Sequence, residues 1–122
     1  MKYNATIMDH FNNPRNAGTL ENADAIGEAT NDVCLDVMRL FLRVNGDIVA
    51  DVSFQAEGCV PSIACGSFLT QFLPGKHITE LKSLDAAALE AALGGLPATK
   101  KHAAHLGADA LREALKTLPQ KR

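Results

Sequence analysis

Two segments with alternating apolar residues, separated by a turn, are the sequence feature that most limits how this chain can fold. The first segment, CLDVMRLFLRV, covers residues 34–44, and the second, IVADVSF, covers residues 48–54. Apolar residues at every second position are typical of a β-strand with one buried face. Asn45-Gly46 between the segments is a turn signal, so the sequence predicts an antiparallel hairpin.

The register of this hairpin can be chosen from its apolar faces. A two-residue turn at Asn45-Gly46 would pair Val44 with Asp47 and set apolar residues against polar ones. A three-residue turn over 45–47 instead pairs Val44 with Ile48 and matches the apolar faces. Those faces are Met38, Leu40, Leu42 and Val44 on one strand and Ile48, Ala50, Val52 and Phe54 on the other. Because a slip of one residue turns every side chain to the opposite face, we predict the second register.

The predicted register brings two cysteines to the open end of the hairpin. Cys34 lies opposite Gly58 in this register, and Cys59 is the next residue. The side chain of Asp36, two residues after Cys34, points to the same face as Cys34. We therefore expect two thiols and one carboxylate at this end of the sheet.

Helical patterns account for most of the remaining chain. NATIMDHFNN (4–13) predicts a first helix capped by Asn4, and a polar stretch with one short strand around 25–29 follows it. Three further helices are predicted from PSIACGSFLTQFL (61–73), SLDAAALEAALGG (83–95) and the amphipathic segment 96–118. This order predicts an α+β fold in which helices pack on one face of a small antiparallel sheet of about three strands.

Composition is that of a globular protein with an ordinary core. Of the 122 residues, 47% are hydrophobic and 21% are charged, and the formal net charge is -2. This length predicts a single domain over residues 1–122. The charge balance gives no reason to expect a nucleic-acid partner, and no apolar run approaches the length of a membrane span.

The cysteines are expected to be reduced. Asp9 and His10 stand where a signal peptide would have its apolar core, so we expect a cytoplasmic protein, and thiols are kept reduced in that compartment. Three is an odd number of cysteines, which also argues against a disulfide framework. Metal binding, sulfur chemistry and core packing remain as their roles.

Cys59 has the surroundings of a metal-binding thiol. It lies just before the predicted helix 61–73, and a helix N-terminus lowers the pKa of a thiol and favours the thiolate. Cys34, Asp36 and Cys59 together make an incomplete tetrahedral ligand set for zinc or iron. A nitrogen or a third sulfur ligand is missing from this set.

Four segments resemble those of a known family, in order along nearly the whole chain. They are DHFNNPRNAGTL (9–20), CLDVMRLFLRV (34–44), FQAEGCVPSIACGS (54–67) and LPATKKHAAHLGADAL (96–111). Together they are similar to the motifs of the NifU/IscU-type iron–sulfur cluster assembly scaffolds. The resemblance implies a scaffold, not an enzyme, that builds a [2Fe-2S] cluster from iron and the sulfur of a cysteine desulfurase. The scaffold then passes the cluster to recipient apo iron–sulfur proteins.

The resemblance also implies a ligand set. Carried over by position, the ligands of the cluster or of iron are Cys34, Cys59 and His102, with Asp36 as the carboxylate that modulates or completes the site. The family places its third cysteine directly after the histidine, where this chain has Ala103. The chain is thus identified as a divergent member that lacks the third cysteine.

Three other positions depart from the family pattern. Leu35 replaces a glycine, LPATK (96–100) replaces the LPPVK motif that a chaperone recognises, and Cys65 replaces a serine. Two alternative functions therefore stay open: a zinc-bound sulfur-transfer protein that partners a desulfurase, and a binding or regulatory member that does not assemble clusters. The pattern also leaves open a homodimer that shares one cluster.

Several other residues have simpler interpretations. Cys65 shares a helical face with Leu69 and Phe72, which favours core packing over a role as substitute ligand or sulfur acceptor. His105 lies one turn after His102, and we expect it to be solvated rather than a replacement ligand. Two further histidines have no chemical constellation around them and are expected to be structural or exposed, namely His10 and His77.

Overall fold

The computed structural model describes residues 2–32 and 35–118. Three strands, β1, β2 and β3, form the sheet and span Ala25–Asn31, Asp36–Asn45 and Ile48–Glu57. The helices α1 to α5 span Ala5–Asn12, Val60–Phe72, Ile78–Leu81, Ala86–Ala92 and His102–Thr117, and a 3₁₀ turn at Ala98–Lys100 precedes α5.

The sheet is antiparallel throughout, in the order β1-β2-β3. Helices α2 and α5 pack on it, α2 mainly against β3 and α5 against β1 and β2, while α1 packs on α2. Alternate residues of the strands face these helices, and the shared core includes Met38, Leu40, Leu42, Val52, Phe54, Cys65, Leu69, Leu106 and Leu111. The predicted α+β fold is confirmed.

The hairpin register differs from the predicted one by two residues. Met38 pairs with Ala56 and Leu40 with Phe54, so the apolar faces meet as expected but each partner lies two positions further along β3. The turn itself is a two-residue turn, because Asn45 pairs with Ile48.

A β-bulge reconciles the tight turn with the apolar pattern. Arg43 pairs with Asp51 and Val44 with Val49, so Ala50 is an extra residue in β3. A two-residue turn continued without interruption would set the apolar face of β2 against the polar face of β3. The extra residue corrects this by one position, as bulges do.

Local capping explains where several helices begin. Asn4 accepts a hydrogen bond from the backbone N–H of Ile7 at 2.9 Å, as predicted for α1, and Asp85 accepts one from Ala88 at the start of α4. The short α3 is not among the predicted elements. His77 caps it by accepting from the N–H of Thr79, and four residues carry too little periodicity to be found in a sequence.

Within the described residues, none of the helices is both long enough and apolar enough to cross a lipid bilayer.

Candidate metal centre

Three metal-ligating side chains from three different elements meet at one end of the sheet. Asp36 is the first residue of β2, Cys59 is the N-cap of α2, and His102 is the first residue of α5. One ligand atom of each lies within 4.8 Å of the other two. We call these three residues the candidate metal centre, and they are the one such group within residues 2–32 and 35–118.

The donors contact one another directly. Cys59 Sγ donates to Asp36 Oδ2 at 3.1 Å and lies 3.6 Å from His102 Nε2. His102 Nε2 is also 3.6 Å from Asp36 Oδ2. Asp36 is buried, with 2% of its surface exposed, while the Cys59 thiol is half-buried. The carboxylate is thus shielded from water, whereas the thiol and the imidazole remain partly exposed.

Gly58 makes room for the carboxylate. Its φ of +149° is a conformation that side-chain-bearing residues rarely adopt, and a β-carbon built at this position would overlap Asp36 Cγ. The register shift explains the contact, since continuing the observed pairing sets Asp36 opposite Gly58. The predicted register wrongly set Cys34 at that position.

Ser62 lies inside the candidate metal centre, a position that was not predicted from the sequence. Its hydroxyl donates to Asp36 Oδ2 at 2.6 Å and lies 3.3 Å from Cys59 Sγ, and its side chain is completely buried. The available signal was its position three residues after Cys59, because residues three apart lie on the same side of a helix.

The Asp36 carboxylate is held in its ionised form. Burial raises the pKa of Asp36, but hydrogen bonds from Ser62 and Cys59 and the nearby His102 outweigh burial, so its pKa is lowered. An ionised carboxylate can bind a cation without first losing a proton.

The pKa of the Cys59 thiol differs from the expectation. We predicted a lowered pKa from the helix N-terminus, but the pKa of Cys59 is raised. Burial is the largest cause, the negative Asp36 acts in the same direction, and the hydrogen bonding of Ser62, through its side chain and its backbone N–H, only partly opposes them. Without a bound cation, the thiol therefore keeps its proton and donates a hydrogen bond to Asp36.

Cys34, the other predicted cysteine ligand, lies outside the described residues. The residue that follows it, Leu35, has a φ of +58° and is 78% exposed. This left-handed conformation costs a leucine about 1–2 kcal/mol and costs glycine little. It explains why a glycine at this position, as in the family pattern, would suit the backbone.

Cys65 belongs to the core, as predicted. It has no exposed surface, and burial raises the pKa of its thiol to about 12. Its Sγ lies 2.7 Å from the position that a β-carbon on Gly107 would take, so α2 and α5 approach closely there. A thiol in this place is neither a ligand nor an accessible nucleophile.

The residues near His102 in sequence stay outside the ligand group. His105 is exposed, as expected, and does not belong to the three-residue group. Ala103 is fully buried in an apolar cluster with Ile7, Ala64 and Leu96. The position at which the family pattern has its third cysteine therefore lies inside the protein.

The remaining histidines have structural roles. His10 is buried, and its Nδ1 lies 2.7 Å from Ser67 Oγ between α1 and α2. His77 caps α3. Both agree with the expectation from the sequence.

A thiolate, a carboxylate and an imidazole suit a specific class of ions. Zinc and iron accept all three donor types, whereas calcium and magnesium prefer oxygen ligands. Three protein ligands also leave a coordination position for a further donor. The arrangement can therefore hold a zinc or iron ion.

A family model and individual known proteins similar to this chain point to the same family. Residues 2–122 match the model of the NifU-like N terminal domain. The chain is 42% identical over 113 residues to the iron-sulfur cluster assembly scaffold protein IscU 1 of Archaeoglobus fulgidus, covering 93% of this chain and 74% of that protein. It is 40% identical over 117 residues to the scaffold protein IscU of Aquifex aeolicus, covering 94% and 74%.

Solved structures share the fold. A scaffold protein from Fervidobacterium islandicum, assigned to the SUF system, has a TM-score of 0.75 at 24% identity and covers 93% of this chain and 96% of its own. The N-terminal part of a NifU-like protein from Brucella abortus has a TM-score of 0.64 at 20% identity, covering 94% and 80%. With the family model matched over residues 2–122, the chain belongs to the NifU-like N-terminal domain family.

Proposed function

We propose that this protein is a scaffold on which an iron–sulfur cluster is assembled and from which it is passed to recipient proteins. The observation that carries the proposal is the convergence of Asp36, Cys59 and His102, whose ligand atoms lie within 4.8 Å of one another. The relatives named iron-sulfur cluster assembly scaffold protein support the same role.

The cargo is a [2Fe-2S] cluster or iron, held by the candidate metal centre together with Cys34. Four ligands of this kind meet the usual requirement of a cluster, although all-thiolate sites are the common case. Sulfur would come from a cysteine desulfurase, and the protein itself would not turn over a substrate. Reduced thiols are needed throughout, and the cytoplasm maintains them.

A second function is favoured by Ala103. With alanine where the family pattern has a cysteine, the ligand set has fewer soft donors, which suits a single Zn²⁺ better than a cluster. A zinc-bound sulfur-transfer protein that partners a desulfurase is therefore the alternative. A binding or regulatory role without cluster assembly would follow only if no metal is held.

The test is anaerobic reconstitution with iron and sulfide, followed by analysis of iron, sulfide and zinc. We expect iron and sulfide in equal amounts in the wild type and loss of both in Cys34→Ser and Cys59→Ser. Cys65→Ser is the matched control and keeps them, because Cys65 lies in the core.

Zinc without sulfide, both as purified and after reconstitution, would reject the scaffold function and support the zinc-bound sulfur-transfer protein. No metal at all would reject both. Full stoichiometry in Cys59→Ser would show that the candidate metal centre is not the binding site.

A further inference from the structure

Ser62 is a buried hydroxyl inside the candidate metal centre with two partners there. It donates to Asp36 Oδ2 at 2.6 Å and lies 3.3 Å from Cys59 Sγ, with no exposed surface of its own. We propose that Ser62 is the positioning residue of the candidate metal centre, a role that rests on the proposed function. It fixes the Asp36 carboxylate in the orientation that the metal needs.

Helix geometry gives Ser62 its direction. Ser62 is the third residue of α2, and side chains in a helix point back toward its N-terminus. The hydroxyl therefore lies over Cys59, the N-cap, and reaches the carboxylate from the adjacent strand. Because α2 is packed against β3 and α5, the hydroxyl is carried on a fixed element.

Few other side chains hold the Asp36 carboxylate in place. Asp36 is 2% exposed, and within residues 2–32 and 35–118 its partners are the Ser62 hydroxyl, the thiol and backbone N–H of Cys59, and His102. A metal ion would engage the Cys59 thiol and the His102 imidazole. The Ser62 hydroxyl then remains as the side-chain donor to the carboxylate.

A hydroxyl is also the right kind of donor for this task. A lysine or arginine at the same place would neutralise Asp36 and repel an incoming cation. A neutral O–H orients the carboxylate and leaves its charge available for the metal. Hydrogen-bonding partners of metal ligands act in this manner, and removing one typically weakens metal binding about 10- to 100-fold.

Ser67 provides a matched control on the same helix. It too is fully buried, but its Oγ accepts from the backbone N–H of Arg15 at 2.9 Å and contacts His10 Nδ1 at 2.7 Å. Loss of this hydroxyl removes hydrogen bonds of comparable number, away from Asp36 and Cys59. A general effect of removing a buried serine from α2 would therefore appear in both variants.

The first measurement is Zn²⁺ affinity of the purified protein by competition with a chelator. We expect Ser62→Ala to bind Zn²⁺ about 10- to 100-fold more weakly than the wild type. Ser67→Ala should stay within about twofold of the wild type, because it touches no ligand. Wild-type affinity in Ser62→Ala would overturn the proposal, and so would equal losses in the two variants.

A double-mutant cycle tests whether Ser62 acts through Asp36. In the Asp36→Ala background, Ser62→Ala should change Zn²⁺ affinity by no more than about twofold, because the carboxylate that it orients is gone. If Ser62→Ala weakened Zn²⁺ binding in the Asp36→Ala background as much as it does in the wild type, Ser62 would act independently of Asp36. That result would overturn the positioning role.

The same cycle read in metal-free protein separates this inference from the proposed function. Ser62→Ala should lower the melting temperature when Asp36 is present and have a smaller effect in Asp36→Ala. Additive effects would overturn the role of Ser62 whether or not metal binds. A wild type that binds neither zinc nor iron, with the cycle still non-additive, would reject only the proposed function.

Discussion

Gly58 lies so close to the Asp36 carboxyl group that a β-carbon on residue 58 would overlap Asp36 Cγ. The space for one donor of the candidate metal centre is thus created by the lack of a side chain on another residue. The alternation of the strand singles out Asp36, but its contact with Gly58 exists only because the observed register sets the two residues opposite each other.

Gly58→Ala should weaken metal binding by more than about tenfold, because the displaced carboxylate no longer lies beside Cys59. The strained backbone adds about 1–3 kcal/mol of destabilisation. Gly75→Ala is the control, since Gly75 has a φ of +89° but no atom within 4 Å of an added β-carbon. Zn²⁺ titration and chemical denaturation check both variants. Unchanged Zn²⁺ affinity in Gly58→Ala would mean that the Asp36 carboxylate does not bind the metal.

Cys65→Ser should cost stability and leave metal content unchanged. A hydroxyl placed in the fully buried core beside Leu69 would lack a hydrogen-bond partner, which lowers the free energy of unfolding by about 1–3 kcal/mol. Urea unfolding gives the free energy, and metal analysis gives the stoichiometry. A Cys65→Ser variant that keeps wild-type stability but binds no metal would show that Cys65 is a metal ligand and not a core residue.

His10 should make the protein less stable in mild acid. Burial of the ring, helped by the charge of Arg15 and opposed by Asp9, lowers the pKa of His10 below 6.5. The unfolded chain therefore binds this proton at a higher pH than the folded protein. The stabilisation is complete above pH 6.5 and is lost as pH falls from there toward the lowered pKa of the folded state, at most about 1.4 kcal/mol per pH unit.

The measurement for His10 is the free energy of unfolding at several pH values for the wild type and His10→Gln. The glutamine does not titrate, so the difference between the two curves isolates His10 from the other histidines. We expect the wild type to lose more stability than the variant on acidification. Parallel curves would show that His10 takes up its proton equally well in both states.

Ala103→Cys should leave the lifetime of a reconstituted cluster unchanged. Ala103 directly follows His102 but is fully buried in an apolar cluster with Ile7, Ala64 and Leu96, so a thiol here points into the protein and not at the candidate metal centre. The decay of visible absorbance under chelator challenge, in anaerobic buffer, compares the variant with the wild type. A slower decay in the folded variant would mean that position 103 reaches the metal.

The sequence predicts the secondary-structure elements of the fold better than it predicts the register between the strands. The alternation of β2 and β3 predicts which faces are buried, and Asn4 predicts the start of α1. A bulge at Ala50 changes the partner of every residue beyond it, and no residue type in the hairpin marks that position. The two-position error in the register is the sum of this bulge and a turn that is one residue shorter than predicted.

The sequence predicts only part of the candidate metal centre. Asp36 and Cys59 follow from the hairpin and the helix start, whereas His102 came from the resemblance to a family, because nothing local distinguishes it from His105. The raised pKa of Cys59 depends on burial and on the carboxylate beside it, which are properties of the assembled site. Ser62 needed three-dimensional distances.

The close approach of Cys65 and Gly107 has a consequence for the spacing of two side chains at the candidate metal centre. Helices α2 and α5 both begin there, with Cys59 and His102, and they touch again at Cys65 and Gly107. The separation of the helices at this second contact therefore constrains how far apart the Cys59 thiol and the His102 imidazole can lie. A larger residue at 107 would press on Cys65 Sγ from inside the core, so mutations that touch neither of these two side chains can still change their spacing.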